Sequence, residues 1–313
     1  MKACPSNRVT ILMAMYNGAP WLATQLESIY AQSHRNWRLI VSDDGSKDGS
    51  PDQLLAWTAQ HTDAWIELRQ GPSRGAASNF LSMLSALNGE REGFVALADQ
   101  DDRWLPGKLR RALQTLNTVP ARRPGLYCGP TIICDESLRP LRRSRIPQRE
   151  AAFANAIVQN IAGGNTMVLN PAAAKLVKGA AQEADKIVIH DWWIYQIVTG
   201  AGGVVLFDPE PQVYYRQHGH NQIGANDRIR DQARRARKIL GGQARDWMDI
   251  NLAALQRSRH RLTHENQVLL EALTRARTLP SWQRIGALRE LGLYCQTRRG
   301  DLGLWISAAL NRI

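Results

Sequence analysis

No stretch of this sequence stays apolar for the roughly 20 residues that a membrane-spanning helix needs, and the longest early run, Val9 to Met15, is too short for a signal-peptide core. A chain that stays in the cytoplasm is the expectation. Cysteine is scarce too. Cys4, Cys128, Cys134 and Cys295 lie far apart, with no pair at zinc-ligand or redox-motif spacing, so buried free thiols are expected in place of a disulfide frame. Acid is in deficit, 28 Asp and Glu against 40 Lys and Arg, and the formal net charge of +12 draws nucleic acid, anionic lipid or phosphorylated ligands alike. Most of that excess sits late, because from Ala225 onward 17 basic residues face 8 acidic ones. No internal repeat is present, and the one biased stretch is the basic run Arg228 to Lys238.

What is there reads as a folded globular body: 44% apolar and 22% charged residues in a 313-residue chain, enough for one or two domains. Strand and helix signals alternate through the first hundred residues, the pattern of a parallel sheet covered by helices. Val9–Met13, Trp37–Val41, Trp65–Leu68 and Phe94–Ala98 read as strands. Leu22, Leu26 and Ile29, then Phe80, Leu84 and Leu87, recur at helical spacing between them. From Asp135 to Glu150 the pattern dissolves into an arginine-rich loop in which Pro140 and Pro147 block regular structure. Short edge strands are expected at Thr166–Leu169, Val204–Phe207 and Val213–Tyr215, with a domain boundary near Gly224. Beyond it, helices are predicted around Ile229 to Leu240, Trp282 to Leu291 and Leu302 to Ile313.

Three polar loops fall at the carboxyl ends of predicted strands, where open α/β sheets bind ligands. They are Met15-Tyr16-Asn17-Gly18, Asp43-Asp44-Gly45-Ser46 and Asp99-Gln100-Asp101-Asp102. The last offers hard oxygen donors suited to Mg²⁺ or Mn²⁺, although acids also favour the turn that opens a helix. Carboxylates in the second could hold base N–H groups or ribose hydroxyls, with Gly45 letting the backbone approach.

The order of MAMYNG, SDDGSKDGS, RGAASNF and ALADQDDRW resembles the inverting family 2 glycosyltransferases of the GT-A fold, a Rossmann-like, mainly parallel sheet flanked by helices, over residues 8–224. IAGGNTMVLN, HDWW and YYRQHGHNQIG are similar to the rhamnosyltransferase-like branch, which builds bacterial surface polysaccharide from dTDP-L-rhamnose. The resemblance implies an α/β catalytic domain over 1–224 with a basic α-helical extension over 225–313. It implies a nucleotide diphosphate sugar donor at Met15, Asn17, Asp43, Asp44, Arg74, Asn79, Asp99 and Arg216, and a divalent cation at Asp99 and Asp101. His218 would complete the metal shell, with His220 as competitor.

Asp191 matches the acid that takes the acceptor's proton, and a helix N-cap is its bland reading. Gly164, Asn165, His190, Trp192 and Trp193 would line the acceptor or sugar pocket; tryptophans opening a helix also pack in cores. His260 and His264, lacking a third ligand, are expected on a solvated face. The acceptor would be a glycan hydroxyl of lipopolysaccharide, O-antigen or capsule type, borne on a lipid carrier at the inner membrane's cytoplasmic face. The basic tail with Trp282 and Trp305 would then lie on that surface, or pack on the catalytic domain or a second subunit. Another donor hexose (UDP-Glc, UDP-Gal or UDP-GlcNAc) is the alternative, and a nucleic-acid-binding protein is the rival from charge alone.

Overall fold

The computed structural model describes residues 7–88, 93–219 and 243–313. His220, Cys4 and the basic run Arg228 to Lys238 lie outside the described residues, as do the helix predicted around Ile229 to Leu240 and the boundary at Gly224.

The expected alternation is present: β1 (Val9–Met15), α1 (Ala19–Tyr30), β2 (Trp37–Asp43), α2 (Ser50–Gln60), β3 (Ile66–Gln70), α3 (Ala76–Ser85) and β4 (Phe94–Asp99). β1 pairs in parallel with both β2 and β4, and β3 extends the sheet from β2. The central strands β1 and β4 are apolar on both faces, as parallel strands between helix layers must be, whereas edge strand β3 alternates Ile66 and Leu68 with Glu67 and Arg69. Ile11, Met13, Ala96 and Ala98 point to one layer, where they meet Leu22, Leu26 and Ile29 of α1 and Leu54 and Trp57 of α2. Leu12, Ile40, Val95 and Leu97 point to the other, against Phe80 and Leu84 of α3. Proline stands in the first turn of both α1 and α2, where its missing N–H costs no helical bond.

Then come β5 (Arg103–Trp104), α4 (Lys108–Leu116), β6 (Gly125–Cys128), β7 (Ile132–Cys134), β8 (Pro140–Arg143), the short α5 (Phe153–Ala156), β9 (Val168–Leu169), α6 (Pro171–Glu183), α7 (His190–Gly200), β10 (Val204–Phe207) and β11 (Val213–Arg216). The main sheet runs β10-β6-β9-β4-β1-β2-β3, and a second sheet runs β5-β11-β7-β8.

Two expectations need correction. β9 is not an edge strand: its two residues pair antiparallel with β4 on one side and β6 on the other, in the middle of the sheet, and β11 is not one either, since it lies between β5 and β7 in the second sheet. The arginine-rich segment is not structureless, because Pro140–Arg143 forms the outermost strand of the second sheet, paired antiparallel with β7. Proline is admissible there as the first residue of an edge strand.

The tail folds into α8 (Gln243–Arg257), α9 (His264–Thr278), α10 (Ser281–Glu290) and α11 (Arg298–Ala309). Met248, Leu252, Leu255, Leu270, Leu273, Leu288 and Leu304 belong to the same apolar cluster as Leu12, Val95, Trp193 and Ile194. The tail thus shares the core of the sheet. Among the described residues no helix is long and apolar enough to cross a membrane.

Candidate functional site

Sequence order brings the three polar loops to one edge, and hydrogen bonds lock them together. Gln100 joins the first loop to the third: its Oε1 accepts from Tyr16 N at 2.9 Å while its Nε2 donates to Tyr16 O at 2.9 Å, a two-way clasp between the loops after β1 and β4. Gly18 is required beneath it, since a Cβ there would overlap the Gln100 amide. Asn17, with φ of 49°, donates from its N–H to Ser46 Oγ, and its side-chain oxygen accepts from Lys47 N. The left-handed backbone is one that asparagine tolerates. Met15 is fully buried and contributes its carbonyl, which accepts from Asp44 N.

The two acids of the second loop separate in role. Asp43 is half-buried and accepts from the hydroxyl and N–H of Ser46. Asp44 is buried, and both its oxygens are engaged by main chain, Oδ1 by Ser73 N at 2.8 Å and Oδ2 by Gly75 N at 2.6 Å. It shapes the turn that carries exposed Arg74. Asn79, fully buried, donates to Ser42 O, and its Oδ1 is without a partner among the described residues.

At the end of β4 the acids separate as well. Asp102 is fully buried and faces inward, accepting from Asn165 Nδ2 at 2.5 Å and from Arg216 N at 3.3 Å. It is a staple between β4, the Gly163–Asn165 turn and β11, which corrects its expected place among the cation's donors. Asp101 lies 2.7 Å from His218 Nε2, and the His218 ring stacks on Trp21 with centroids 3.8 Å apart. Arg216 is buried, its guanidinium donating to the carbonyls of Asp101 and Glu136. The Asp99 carboxyl is pushed up to about 7 by burial and then by the negative charge of Asp101 and Asp191. Asp99 therefore lies within electrostatic reach of both Asp101 and Asp191.

Asp191 opens α7. Its Oδ2 accepts from Gly164 N at 3.0 Å and its Oδ1 from Trp192 N at 2.6 Å. Burial raises its carboxyl to about 6, held from rising further by those N–H groups and by the side chain of Asn160. His190 beside it is buried and stacked on Phe80 at 3.8 Å, and burial depresses its imidazole to about 3. Its Nε2 has no partner among the described residues and faces Gly164, whose missing Cβ makes room for it.

The tryptophans do not offer a sugar platform. Trp193 has no exposed surface, and Trp192 is buried with its Nε1 donating to Ala156 O at 2.7 Å. Both are core residues, a correction to the expected acceptor pocket. His260 and His264 are exposed, as expected, the former 3.3 Å from Glu183.

Two residues escaped the sequence reading. Gln100 was legible in principle, since an amide among three acids is a poor cation ligand and a good clasp. Lys108 sits at i, i+4 and i+8 with Ala112 and Leu116 on the apolar stripe of α4, so burial was foreseeable. Its ammonium lies 3.3 Å above the Trp104 ring, and burial depresses it well below the usual lysine range despite Asp102 and Asp99.

The model of a known family, glycosyl transferase family 2, matches residues 10–183. The dTDP-rhamnosyl transferase RfbG of Shigella flexneri is 26% identical over 221 residues, 68% of this chain and 74% of that protein. The UDP-Glc:alpha-D-GlcNAc-diphosphoundecaprenol beta-1,3-glucosyltransferase WfgD of Escherichia coli is 29% identical over 109 residues, 34% of this chain and 40% of its own length. Among solved structures, the mannosyltransferase PcManGT of Pyrobaculum calidifontis, in complex with GDP-Man and Mn²⁺, superposes with a TM-score of 0.52 at 18% identity, over 99% of this chain and 89% of that one. S. aureus TarS 1-349 in complex with UDP-GlcNAc gives 0.54 at 13% identity, over 97% and 90%. These two show a shared fold.

Proposed function

The chain belongs to glycosyl transferase family 2, and from that premise we propose that it moves L-rhamnose from dTDP-L-rhamnose onto a hydroxyl of a bacterial surface glycan, with inversion at the anomeric carbon. The observations that carry the chemistry are Asp191 held by Gly164 N and Trp192 N, near enough to Asp99 for their charges to interact, and Asp101 paired with His218. Donor identity is supported by the dTDP-rhamnosyl transferase relative, which matches 68% of this chain.

A divalent cation fits the residues present. Burial and like-charge repulsion keep Asp99 protonated to about pH 7, a penalty that a dication relieves, and carboxylate oxygens suit Mg²⁺ or Mn²⁺. Among the described residues no three ligating side chains already converge on one point. Asp99, Asp101 and His218 would hold the ion, which when bound offsets charge on the departing diphosphate. Asp43 and the turn shaped by Asp44 would take the nucleoside, with Arg74, Asn79 and Arg216 around it.

The chain's own part in the reaction is positioning and proton removal. With two main-chain N–H groups fixing its oxygens, Asp191 keeps lone pairs for the acceptor hydroxyl. That hydroxyl oxygen attacks the anomeric carbon and gives its proton to Asp191 as the carbon–oxygen bond to the diphosphate breaks on the opposite face. Gly164, Asn165 and His190 shape the acceptor side.

The test is a donor panel of dTDP-rhamnose, UDP-Glc, UDP-Gal and UDP-GlcNAc with Mg²⁺ or Mn²⁺ and candidate lipid-linked glycans. Turnover with dTDP-rhamnose is expected, and turnover confined to a UDP-hexose overturns the donor. That second reading has its own support in the glucosyltransferase relative. Asp191→Asn should reduce transfer at least a thousandfold with donor affinity unchanged; retained turnover removes it as the base.

A further inference from the structure

α11 is apolar on two faces, and only one is used. Leu304, Ser307 and Ala308 are buried against the core, while Leu302, Ile306 and Leu310, at i, i+4 and i+8, are 61%, 48% and 50% exposed. Trp282, in the first turn of α10, is 76% exposed. Arg289, two turns further along the same face of α10, reaches across to the Trp305 ring, 5.9 Å from its centroid, so the Trp282 face runs alongside α11.

Basic residues border this apolar stripe. Arg298 and Arg299 are exposed at the start of α11. Arg149 binds that same turn, 2.9 Å from Asp301 and donating to Cys295 O, and so fastens the arginine-rich segment to it. Residues 139–149 carry five arginines and no acid. Within them Leu141 on edge strand β8 and Ile146 are 59% and 50% exposed. Apolar side chains interleaved with exposed arginines thus recur across two adjoining elements. A second copy is a poor occupant, since two such faces meeting would set arginines against arginines, and an arginine-lined edge strand also resists strand addition.

We propose that this face, formed by α10, α11 and the β8 segment, docks on an anionic bilayer surface. Trp282, Leu302, Ile306 and Leu310 enter the headgroup boundary while Arg143, Arg145, Arg298 and Arg299 meet lipid phosphates. The helices lie along the membrane and do not cross it. Because β8 belongs to the sheet that also carries Arg216 against Asp101, docking brings that flank of the proposed site towards the lipid surface. The use of this docking rests on the proposed lipid-linked acceptor, but binding to vesicles needs neither donor nor acceptor, so the two ideas fail separately.

The experiment is sedimentation of the full chain with phosphatidylglycerol/phosphatidylcholine vesicles and with phosphatidylcholine alone, alongside analytical ultracentrifugation. Preferential binding to the anionic vesicles is expected. The triple variant Leu302→Asn, Ile306→Asn, Leu310→Asn should weaken it tenfold or more with the melting temperature unchanged. The quadruple exchange of Arg143, Arg145, Arg298 and Arg299 for Gln should weaken it similarly and flatten its salt dependence. Equal binding to both vesicle types overturns the proposal. So does wild-type binding by both variants, which moves the contact to another basic stretch, or a dimer that the Asn variant converts to monomer, which makes a second copy the occupant.

Discussion

As the proposed base, Asp191 is already oriented, because Gly164 N and Trp192 N fix both its oxygens. Its cost is a carboxyl raised to about 6. A base must be ionised, so protonation below that value removes activity: kcat/KM should fall about tenfold per pH unit below roughly pH 6 and level off above 7, measured with a saturating cation. The Gly164 position is as tightly determined. An added Cβ overlaps the His190 ring, which is pinned on Phe80 and cannot retreat. Gly164→Ala should therefore displace the turn that donates to Asp191 and lower kcat by about 10²-fold, as a 1 Å misplacement does, while donor affinity measured by calorimetry holds. Both residues were legible as candidates in the sequence. What was not legible is how acids divide their labour: Asp43 and Asp44, or Asp101 and Asp102, are neighbours of identical type, and only burial reveals that Asp44 and Asp102 are spent on main chain and Asn165. Trp192 and Trp193 failed for the same reason, since aromatic surface reads alike whether it meets a sugar or a core.

Helix starts show how much of the scaffold hangs on single caps. Asn170 is buried at the N-cap of α6, its Oδ1 accepting from both Ala173 N at 2.9 Å and Gly125 N at 3.0 Å, and its Nδ2 donating to Arg123 O at 2.9 Å. Asn170→Ala strands three main-chain groups at once, so the loss should be about 2–4 kcal/mol, above the ordinary cap value of about 1; urea denaturation followed by circular dichroism checks it. β1 to β4, α1 and α3 were plain in the sequence because burial on one or both faces repeats over two or more turns or pleats; α2 was not read, since it buries only Leu54 and Trp57 as apolar side chains. β8 and β9 were misread because they are four and two residues long, too short for a period to develop, and their pairing is set by distant partners. In α11 the helical spacing was legible, but periodicity did not tell which face packs: Leu302 and Ile306 are exposed where Leu304 and Ala308 are buried.

At the scale of the molecule, sheet and tail share one apolar cluster. Truncation after residue 242 would remove Leu252, Leu255, Leu270 and Leu273 from the cluster that also holds Trp193, Ile197 and Val198, and bare part of it. The expected result is an aggregating product without a cooperative thermal transition and with strong ANS binding; a soluble, cooperatively melting fragment would show instead that residues 7–219 fold alone. This continuity is why membrane contact is to be tested by point substitution. The central placement of β9 carries a consequence in time. β4 and β6 have no direct pairing, and each waits for Val168 and Leu169 to arrive between them. During synthesis at roughly 5–20 residues per second, the half-sheet that ends in Asp99 emerges seconds before the strand that closes it. The nascent chain therefore passes through an interval with an open apolar edge on β4, when chaperone capture or misassociation competes with folding, and slowing translation past Cys134 would lengthen it.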